Sequence, residues 1–222
     1  MPLNLQKGDM YKFITHTFNV IKGICKHHDC VYCYMKVFKQ RPLRLVEEEL
    51  KTDLGDGNFI FVGSSTDMFA QNVPATWIAN TLDYCNQFPD NQYLFQSKNP
   101  FRFMEFVGHY PPDSHFATTI ESNRHYPAIS SAPPVEERKR WIGVLGQAYP
   151  ISITIEPVLD FDVDVLASWI HELSPEWVAI GADSKGHKLP EPTPEKVQAL
   201  VLAISDMTVI IKRNLRRIVE IN

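Results

Sequence analysis

The 222-residue sequence has no apolar run long enough to span a bilayer, so no membrane-spanning helix is expected. No amino-terminal stretch joins a basic start to a long apolar run and a small-residue cleavage site, and a soluble, cytoplasmic protein with no membrane partner is expected. The chain also lacks a polybasic segment. Its formal charge of −4 is spread along the length, which argues against anionic lipid and weakens nucleic acid as a partner without excluding it. There is no linker, no low-complexity tract and no fixed-period repeat of the solenoid kind. With 44% hydrophobic residues the length suits one sizeable core, and a single domain over 1–222 is expected. Cysteine is scarce: there are four, of which three lie within nine positions while Cys85 stands alone. That arrangement suits a metal centre better than two disulfides.

What the sequence does contain is an alternation of strand-like and helical segments. Phe59-Ile60-Phe61-Val62 runs into the polar turn Gly63-Ser64-Ser65-Thr66-Asp67, and a helix is expected from Pro74 to Phe88, with Trp77, Ile78, Leu82 and Cys85 on one face. Tyr93-Leu94-Phe95 leads into Ser97-Lys98-Asn99-Pro100 and a short helix carrying Phe103, Phe106 and Val107. Phe116 to Ile120 leads into Glu121-Ser122-Asn123-Arg124 and a charged helix from about Pro134 to Gln147. Ile151 to Ile155 ends in Glu156-Pro157 before a helix from Val163 to Leu173. Trp177 to Ile180 ends in Gly181-Ala182-Asp183-Ser184 before a helix over roughly Thr193 to Ser205, and Val209-Ile210-Ile211 ends at Lys212. Strands separated by helices favour parallel pairing, and nearly continuous apolar runs suit strands covered on both faces. The class is α/β. Six or seven strands make an incomplete barrel whose open side admits a bulky substrate. Polar residues just past each strand gather at one mouth, so Glu156, Asp183, Lys98 and Lys212 are candidates for substrate binding or proton handling.

The densest chemistry is Cys25-Lys26-His27-His28-Asp29-Cys30-Val31-Tyr32-Cys33-Tyr34, directly after a strand candidate that includes Phe18 and Val20. The spacing is C-x4-C-x2-C. Thiolates ligate iron, and a four-iron cluster given only three of them keeps one iron for an external ligand. Two other uses stay open. Cys25, Cys30 and Cys33 with His27 or His28 form a complete structural zinc set. A cluster can also serve only sensing or electron transfer.

Three clustered cysteines after the first strand, with an aromatic residue before the last, resemble the cluster motif of radical S-adenosylmethionine (SAM) enzymes. The usual spacing there is C-x3-C-x2-C, one residue shorter in the first gap. The blocks Gly63-Ser64-Ser65-Thr66-Asp67, Ser97-Lys98-Asn99-Pro100, Thr119-Ile120-Glu121, Ile155-Glu156-Pro157 and Gly181-Ala182-Asp183 resemble, in order, a phage and prokaryotic branch broadly related to spore photoproduct lyase-like proteins. The resemblance implies a partial (β/α)6-type TIM barrel with parallel strands, and one 4Fe–4S cluster on Cys25, Cys30 and Cys33. It also implies S-adenosyl-L-methionine bound at the free iron, cleaved to a 5′-deoxyadenosyl radical that takes hydrogen from an unknown substrate. An external one-electron reductant such as flavodoxin or ferredoxin is implied as a partner. Ser64, Ser65 and Thr66 then occupy the position that meets the SAM amino group, Glu121, Asn123 and Arg124 the position that meets ribose or carboxylate, and Tyr32 packs near adenine.

Simpler roles compete with these. Ser64 to Thr66 suit ordinary turn chemistry, Glu121 and Arg124 an ion pair with each other, and Lys98 a strand terminus. His27 and His28 suit a solvated loop, Tyr34 and Cys85 the core. Glu47-Glu48-Glu49 with Lys51, and Glu136 to Arg140, read as exposed helix faces that suggest no site. Lys212, Arg213, Arg216 and Arg217 form a basic cluster that either touches a phosphate or solvates a last helix.

Overall fold

The computed structural model describes residues 3–7, 10–39 and 41–219, the side chain of His28 excepted. Ten strands occur in chain order: β1 (Asn4–Leu5), β2 (His16–Phe18), β3 (Ile21–Lys22), β4 (Arg44–Leu45), β5 (Phe59–Val62), β6 (Gln92–Gln96), β7 (Ser114–Thr119), β8 (Ile151–Ile155), β9 (Val178–Ile180) and β10 (Val209–Ile211). Four α-helices separate the later ones: α1 (Ala75–Cys85), α2 (Val135–Leu145), α3 (Val163–Leu173) and α4 (Pro194–Ala203). The strands expected at 59–62, 151–155 and 209–211 and the helix at 163–173 have those bounds, and the others shift by a few residues at their ends, where hydrogen bonding frays. The short helix expected after Pro100 is a 3₁₀ turn, Pro100–Phe106.

The main sheet runs β1-β2-β5-β6-β7-β8-β9-β10, parallel throughout except for β1, which is antiparallel to β2. Seven parallel strands therefore follow one another in chain order. The sheet stays open, with β10 paired only to β9 among the described residues. β3 and β4 form a separate antiparallel ribbon inside the β2 to β5 connection.

The two faces of the sheet differ chemically. β8 alternates Ile151, Ile153 and Ile155 with Ser152 and Thr154, and because side chains alternate across a strand, one face is aliphatic and the other hydroxylated. The isoleucines join the large outer core with Phe18, Ile60, Val62, Tyr93, Phe95, Phe116 and Val178 and the buried stripes of the helices. Cys85 belongs to that core, fully buried on α1. A smaller core lies on the other face: Phe61, Leu94, Ala117 and Ala179 from the strands, with Tyr11, Ile14 and Trp177 packed against them. The inner face is thus covered by the segment before β2, with Ala117 and Ala179 leaving room for Tyr11 and Trp177. Tyr11 donates its hydroxyl to Gln96 Oε1 (3.0 Å) and contacts Thr154 Oγ1 at 3.1 Å.

Candidate active site

Parallel strands in chain order bring all their following loops to one edge, and hydrogen bonds lace neighbouring loops together there. Asn19, after β2, holds the loop after β5: it donates to Ser64 Oγ (3.1 Å) and accepts from the Ser65 amide and hydroxyl (both 2.9 Å). Asp67 reaches the loop after β6, accepting from Ser97 Oγ (3.0 Å) and the Lys98 amide (2.9 Å). Lys98 Nζ lies 3.8 Å from Glu121 Oε1, after β7. Leu159 N donates to the Glu121 carbonyl (2.9 Å), and Val158 N to Gly181 O (2.8 Å). Asn214, after β10, donates to Glu156 Oε1 at 3.0 Å.

The cysteines sit on the first of these loops. Gly23 has φ +115°, and a Cβ there would collide with the Pro42 carbonyl, so only glycine lets the chain pass from β3 into the loop. Cys25 precedes the 3₁₀ turn Lys26–Asp29, Cys30 follows it, and Cys33 precedes a second turn, Tyr34–Val37. Residues 126–133 strap this loop down. Val31 N donates to Ile129 O (2.8 Å), Ser131 N to Asp29 Oδ1 (3.2 Å), and the Cys30 sulfur lies 2.8 Å from Ser130 Oγ. All four cysteines are free thiols. Burial, and then the charge of Asp67 and the two neighbouring thiols, pushes Cys25 up to about 12. Burial also raises Cys30, against the opposing influence of Lys98 and Ser130. Among the described residues no three His, Cys, Asp or Glu side chains are grouped to hold a single metal ion.

Beside the cysteines is a buried charged group. Glu121 is 4% exposed and accepts from Arg138 Nη1 through Oε2 (2.8 Å) and from the Tyr32 hydroxyl through Oε1. Lys98 lies over the Tyr32 ring, 5.2 Å from its centroid. Burial alone would raise the Glu121 pKa, but Arg138, Lys98 and the Tyr32 hydroxyl outweigh it and hold the carboxyl below its ordinary value. Burial and the Glu121 charge push the Tyr32 phenol well above its usual range. The expectation for residues 136–140 is corrected here: Arg138 is 4% exposed and faces inward from α2, where the Glu121 carboxylate meets it. His27 is likewise no solvated loop residue. It is buried, its Nε2 lies 3.4 Å from Asp67 Oδ2 without hydrogen-bond geometry, and neither ring nitrogen has a hydrogen-bond partner among the described residues. Desolvation lowers its pKa, Asp67 opposing. Either role for the His28 side chain lies outside the described residues. Tyr34 is 49% exposed and donates to Ser64 O (2.7 Å), so it is not core.

A second group occupies the far strands. Lys212 is nearly buried, with Nζ 4.8 Å from the Tyr11 ring centroid. Glu156 presses on Gly181, where a Cβ would stand 2.7 Å from the Glu156 carboxyl, so glycine makes room for that side chain. The two groups connect along the inner face: Lys98 Nζ donates to Thr119 Oγ1 (3.4 Å), Gln96 Nε2 donates to Thr119 Oγ1 (3.5 Å) and to Thr154 Oγ1 (3.1 Å), and Tyr11 completes the run. Sequence reasoning missed Tyr11, Asn19, Gln96, Thr119, Ser130, Arg138, Thr154 and Asn214. The period-2 pairs Gln96/Lys98, Thr119/Glu121 and Thr154/Glu156 were a usable signal for three of them, because each pair shares a strand face.

Other expected site residues do not join. Arg124 pairs with Asp160 and Asp162 rather than with Glu121, and Asn123 donates to Asp162 Oδ2 (3.1 Å). Asp183 turns to its own loop, accepting from the Lys185 amide (3.1 Å) and meeting His187 Nδ1 at 2.7 Å. Thr66 is buried and donates to Gly23 O at 3.2 Å. Of the basic carboxyl-terminal cluster, Arg217 pairs with Glu191 and Lys212 faces Tyr11. A small, partly open pocket lined by Tyr32, Glu121, Arg124, Ser130 and Arg138 holds about 20 Å³, room for roughly one water.

No known family model matches the chain, and no curated protein sequence matches it. Solved structures do. Spore photoproduct lyase, as a mutant with one cysteine replaced by serine, aligns with TM-score 0.59 at 11% identity, covering 92% of this chain and 65% of that one. A double mutant of the lyase with bound AdoMet and dinucleoside spore photoproduct gives 0.61 at 10% identity, covering 93% and 66%. Streptococcus suis SuiB bound to precursor peptide SuiA gives 0.64 at 7% identity, covering 88% and 48%. This chain therefore spans just under two thirds of the lyase and about half of SuiB. At such identities the likeness establishes fold, and the fold is the partial barrel implied by the resemblance to the radical SAM superfamily. No helix among the described residues is long and apolar enough to cross a membrane.

Proposed function

We propose that the chain is a radical SAM enzyme, one domain that holds a 4Fe–4S cluster through Cys25, Cys30 and Cys33 and S-adenosylmethionine at the fourth iron. The observation that carries the reading is the position of the cysteine loop: it follows the first parallel strand of an open barrel and meets the loops after β5 and β7, through Tyr34 with Ser64 and Tyr32 with Glu121. The donor set fits such a group. Cys25, Cys30 and Cys33 are near enough for their charges to interact, and three thiolates on one short loop are the donor set that a cluster with one free iron takes.

Such a cluster, with SAM, supplies the reductive cleavage that yields methionine and a hydrogen-abstracting 5′-deoxyadenosyl radical. The chain's own residues do the rest. Asn19 fixes Ser64 and Ser65 so that the loop after β5 presents a set of hydroxyl and backbone groups toward the SAM amino group. Arg138 and Lys98 keep Glu121 ionised beside Tyr32, ready to accept from SAM hydroxyls. Thr66 supports its loop, while Asn123 and Arg124 brace the rim through Asp162. Lys98, Glu156 and Lys212 face the substrate. Asp183, engaged by its own loop, acts as a positioning residue. Free thiols and dependence on a low-potential reductant suit the cytoplasm.

After anaerobic reconstitution with iron and sulfide, the chain is expected to turn brown and to release 5′-deoxyadenosine from SAM on dithionite reduction. Cys30→Ala abolishes both while leaving the far-ultraviolet spectrum intact. Stoichiometric zinc without a cluster would overturn the proposal, and a cluster that never cleaves SAM would reassign the protein to sensing or electron transfer.

A further inference from the structure

The strap that holds the cysteine loop brings a hydroxyl onto one of the sulfurs. Ser130 Oγ lies 2.8 Å from Cys30 Sγ, from a segment one hundred positions further along the chain. Contacts on either side fix that meeting. Val31 N donates to Ile129 O (2.8 Å), and Ser131 N donates to Asp29 Oδ1 (3.2 Å). The crossed order, Ile129 with Val31 and Ser131 with Asp29, sets Ser130 opposite Cys30. Ser131 Oγ adds a further tie, donating to Lys26 O at 3.4 Å.

The direction of the hydrogen bond follows from what else the hydroxyl does. Ala132 N donates to Ser130 Oγ at 3.2 Å. A hydroxyl has one proton and two lone pairs, so the Ala132 amide takes a lone pair and leaves the proton for the sulfur. While Cys30 is a thiol either partner can donate. A cysteine that ligates iron is a thiolate with no proton to give, so the bond then runs from Ser130 Oγ to Cys30 Sγ. Cys30 is 4% exposed, which keeps bulk water from competing for it. The charge of Lys98 acts in the same sense as Ser130 on this sulfur, whereas Asp67 opposes negative charge at Cys25. Hydrogen bonds to an ionised acceptor strengthen with its charge. Reduction adds one electron to a cluster and makes its sulfurs more negative, so a donor at Cys30 stabilises the reduced form more than the oxidised one. Hydrogen bonds to the sulfurs are one of the factors that set cluster potentials.

On the reading of Cys25, Cys30 and Cys33 as cluster ligands, we propose that Ser130 is a positioning residue whose hydroxyl donates to the Cys30 thiolate and raises the reduction potential of the cluster. The one electron that enters comes from the external reductant, which is oxidised. Ser130 makes that transfer more favourable without itself gaining or losing an electron.

The test is a redox titration of the reconstituted full chain, followed by electron paramagnetic resonance, with dithionite as the reductant. In Ser130→Ala the one-electron reduction equilibrium is expected to fall about tenfold, which is a potential lower by about 59 mV. Ser130→Thr keeps the hydroxyl and is expected to stay near the wild-type potential. Ser131→Ala removes a neighbouring tie of the same strap, to Lys26 O, and is expected to leave the potential in place. Electron–nuclear double resonance of the reduced wild type is expected to show a cluster-coupled proton that exchanges into D2O and is missing from Ser130→Ala. An unchanged potential in Ser130→Ala overturns the inference, as does an equal fall in Ser130→Ala and Ser131→Ala, which marks a loosened strap. Failure of Ser130→Ala to hold a cluster also overturns it, because the hydroxyl is then needed for assembly; so does a wild-type spectrum with no such exchangeable proton. A wild-type chain that forms no cluster, or cleaves no SAM with dithionite, overturns the proposed function and this inference with it. A wild type that does both, beside variants of unshifted potential, overturns this inference alone.

Discussion

The first connection of the barrel and the later ones are built by different physics. Between β5 and β10 the chain crosses over mostly through α-helices, each burying a stripe: Ile78, Thr81, Leu82 and Cys85 on α1, or Leu166, Ala167, Ile170 and Leu173 on α3. Residues 19–58, between β2 and β5, contain no α-helix among those described. They turn through three 3₁₀ segments, two of which, Tyr34–Val37 and Glu47–Lys51, bury no side chain. That connection is held instead by Asn19, the Lys22–Glu49 pair (2.7 Å) and the strap at Ser130 and Ser131. The later connections bury helical stripes, whereas the first adds Val20, Ile21 and Leu54 to the core and holds the cysteine loop itself by polar contacts. The difference leaves the two 3₁₀ turns Tyr34–Val37 and Glu47–Lys51 without a buried side chain, while the later helices each bury one face.

The sharpest test of that contrast is the side chain that crosses between the two regimes. Arg138 stands on a later crossover, yet its charge serves the polar group beside the cysteines. Arg138→Met leaves Glu121 buried without its main partner and is expected to cost about 3–5 kcal/mol by chemical denaturation. A loss below about 1 kcal/mol, the range of exposed pairs, would show that solvent reaches the pair. Ile78→Ala, wholly within the outer core, is expected to cost about 2–5 kcal/mol through lost burial and a cavity. Asn19→Ala removes three hydrogen bonds in the first connection and is expected to cost only about 1–2 kcal/mol, with a larger effect on the KM for SAM. A loss equal to that of Ile78→Ala would erase the distinction. The smallest expected effect is a slope. Because the folded state holds the Glu121 pKa below its unfolded value, this carboxylate contributes stability that is present above about pH 4.3. That stability is lost as pH falls through the lower folded value. The wild type should therefore weaken on acidification more steeply than Glu121→Gln, and parallel slopes would assign the acid response to other carboxylates.

Much of this was legible in the linear pattern. Val163 to Leu173 declares its helix through apolar spacing, and Phe59 to Val62 declares its strand through an apolar run into a glycine turn. The cysteine loop stands out by density, and Lys98 and Glu121 by their place after strands. Arg138 was not legible, because in a run of five charged residues nothing local distinguishes the one that turns inward. Arg124 misled for the complementary reason. Its guanidinium could have met Glu121, three positions away, but Asp160 and Asp162 arrive from a distant loop and take it.

The sequence by itself determined the seven parallel strands, the four α-helices and which loop carries the thiols, but not β1 or the β3–β4 ribbon. Those follow from local spacing, which a single chain encodes directly. Tertiary structure decided who meets whom: Tyr32 with Glu121, Arg138 with Glu121, Asn19 with Ser64 and Ser65, Tyr11 within the barrel beneath Lys212. Each pairing joins residues from loops or strands that only the curvature of the sheet brings together, and the energy of a buried charge depends on that arrival rather than on anything beside it in the chain.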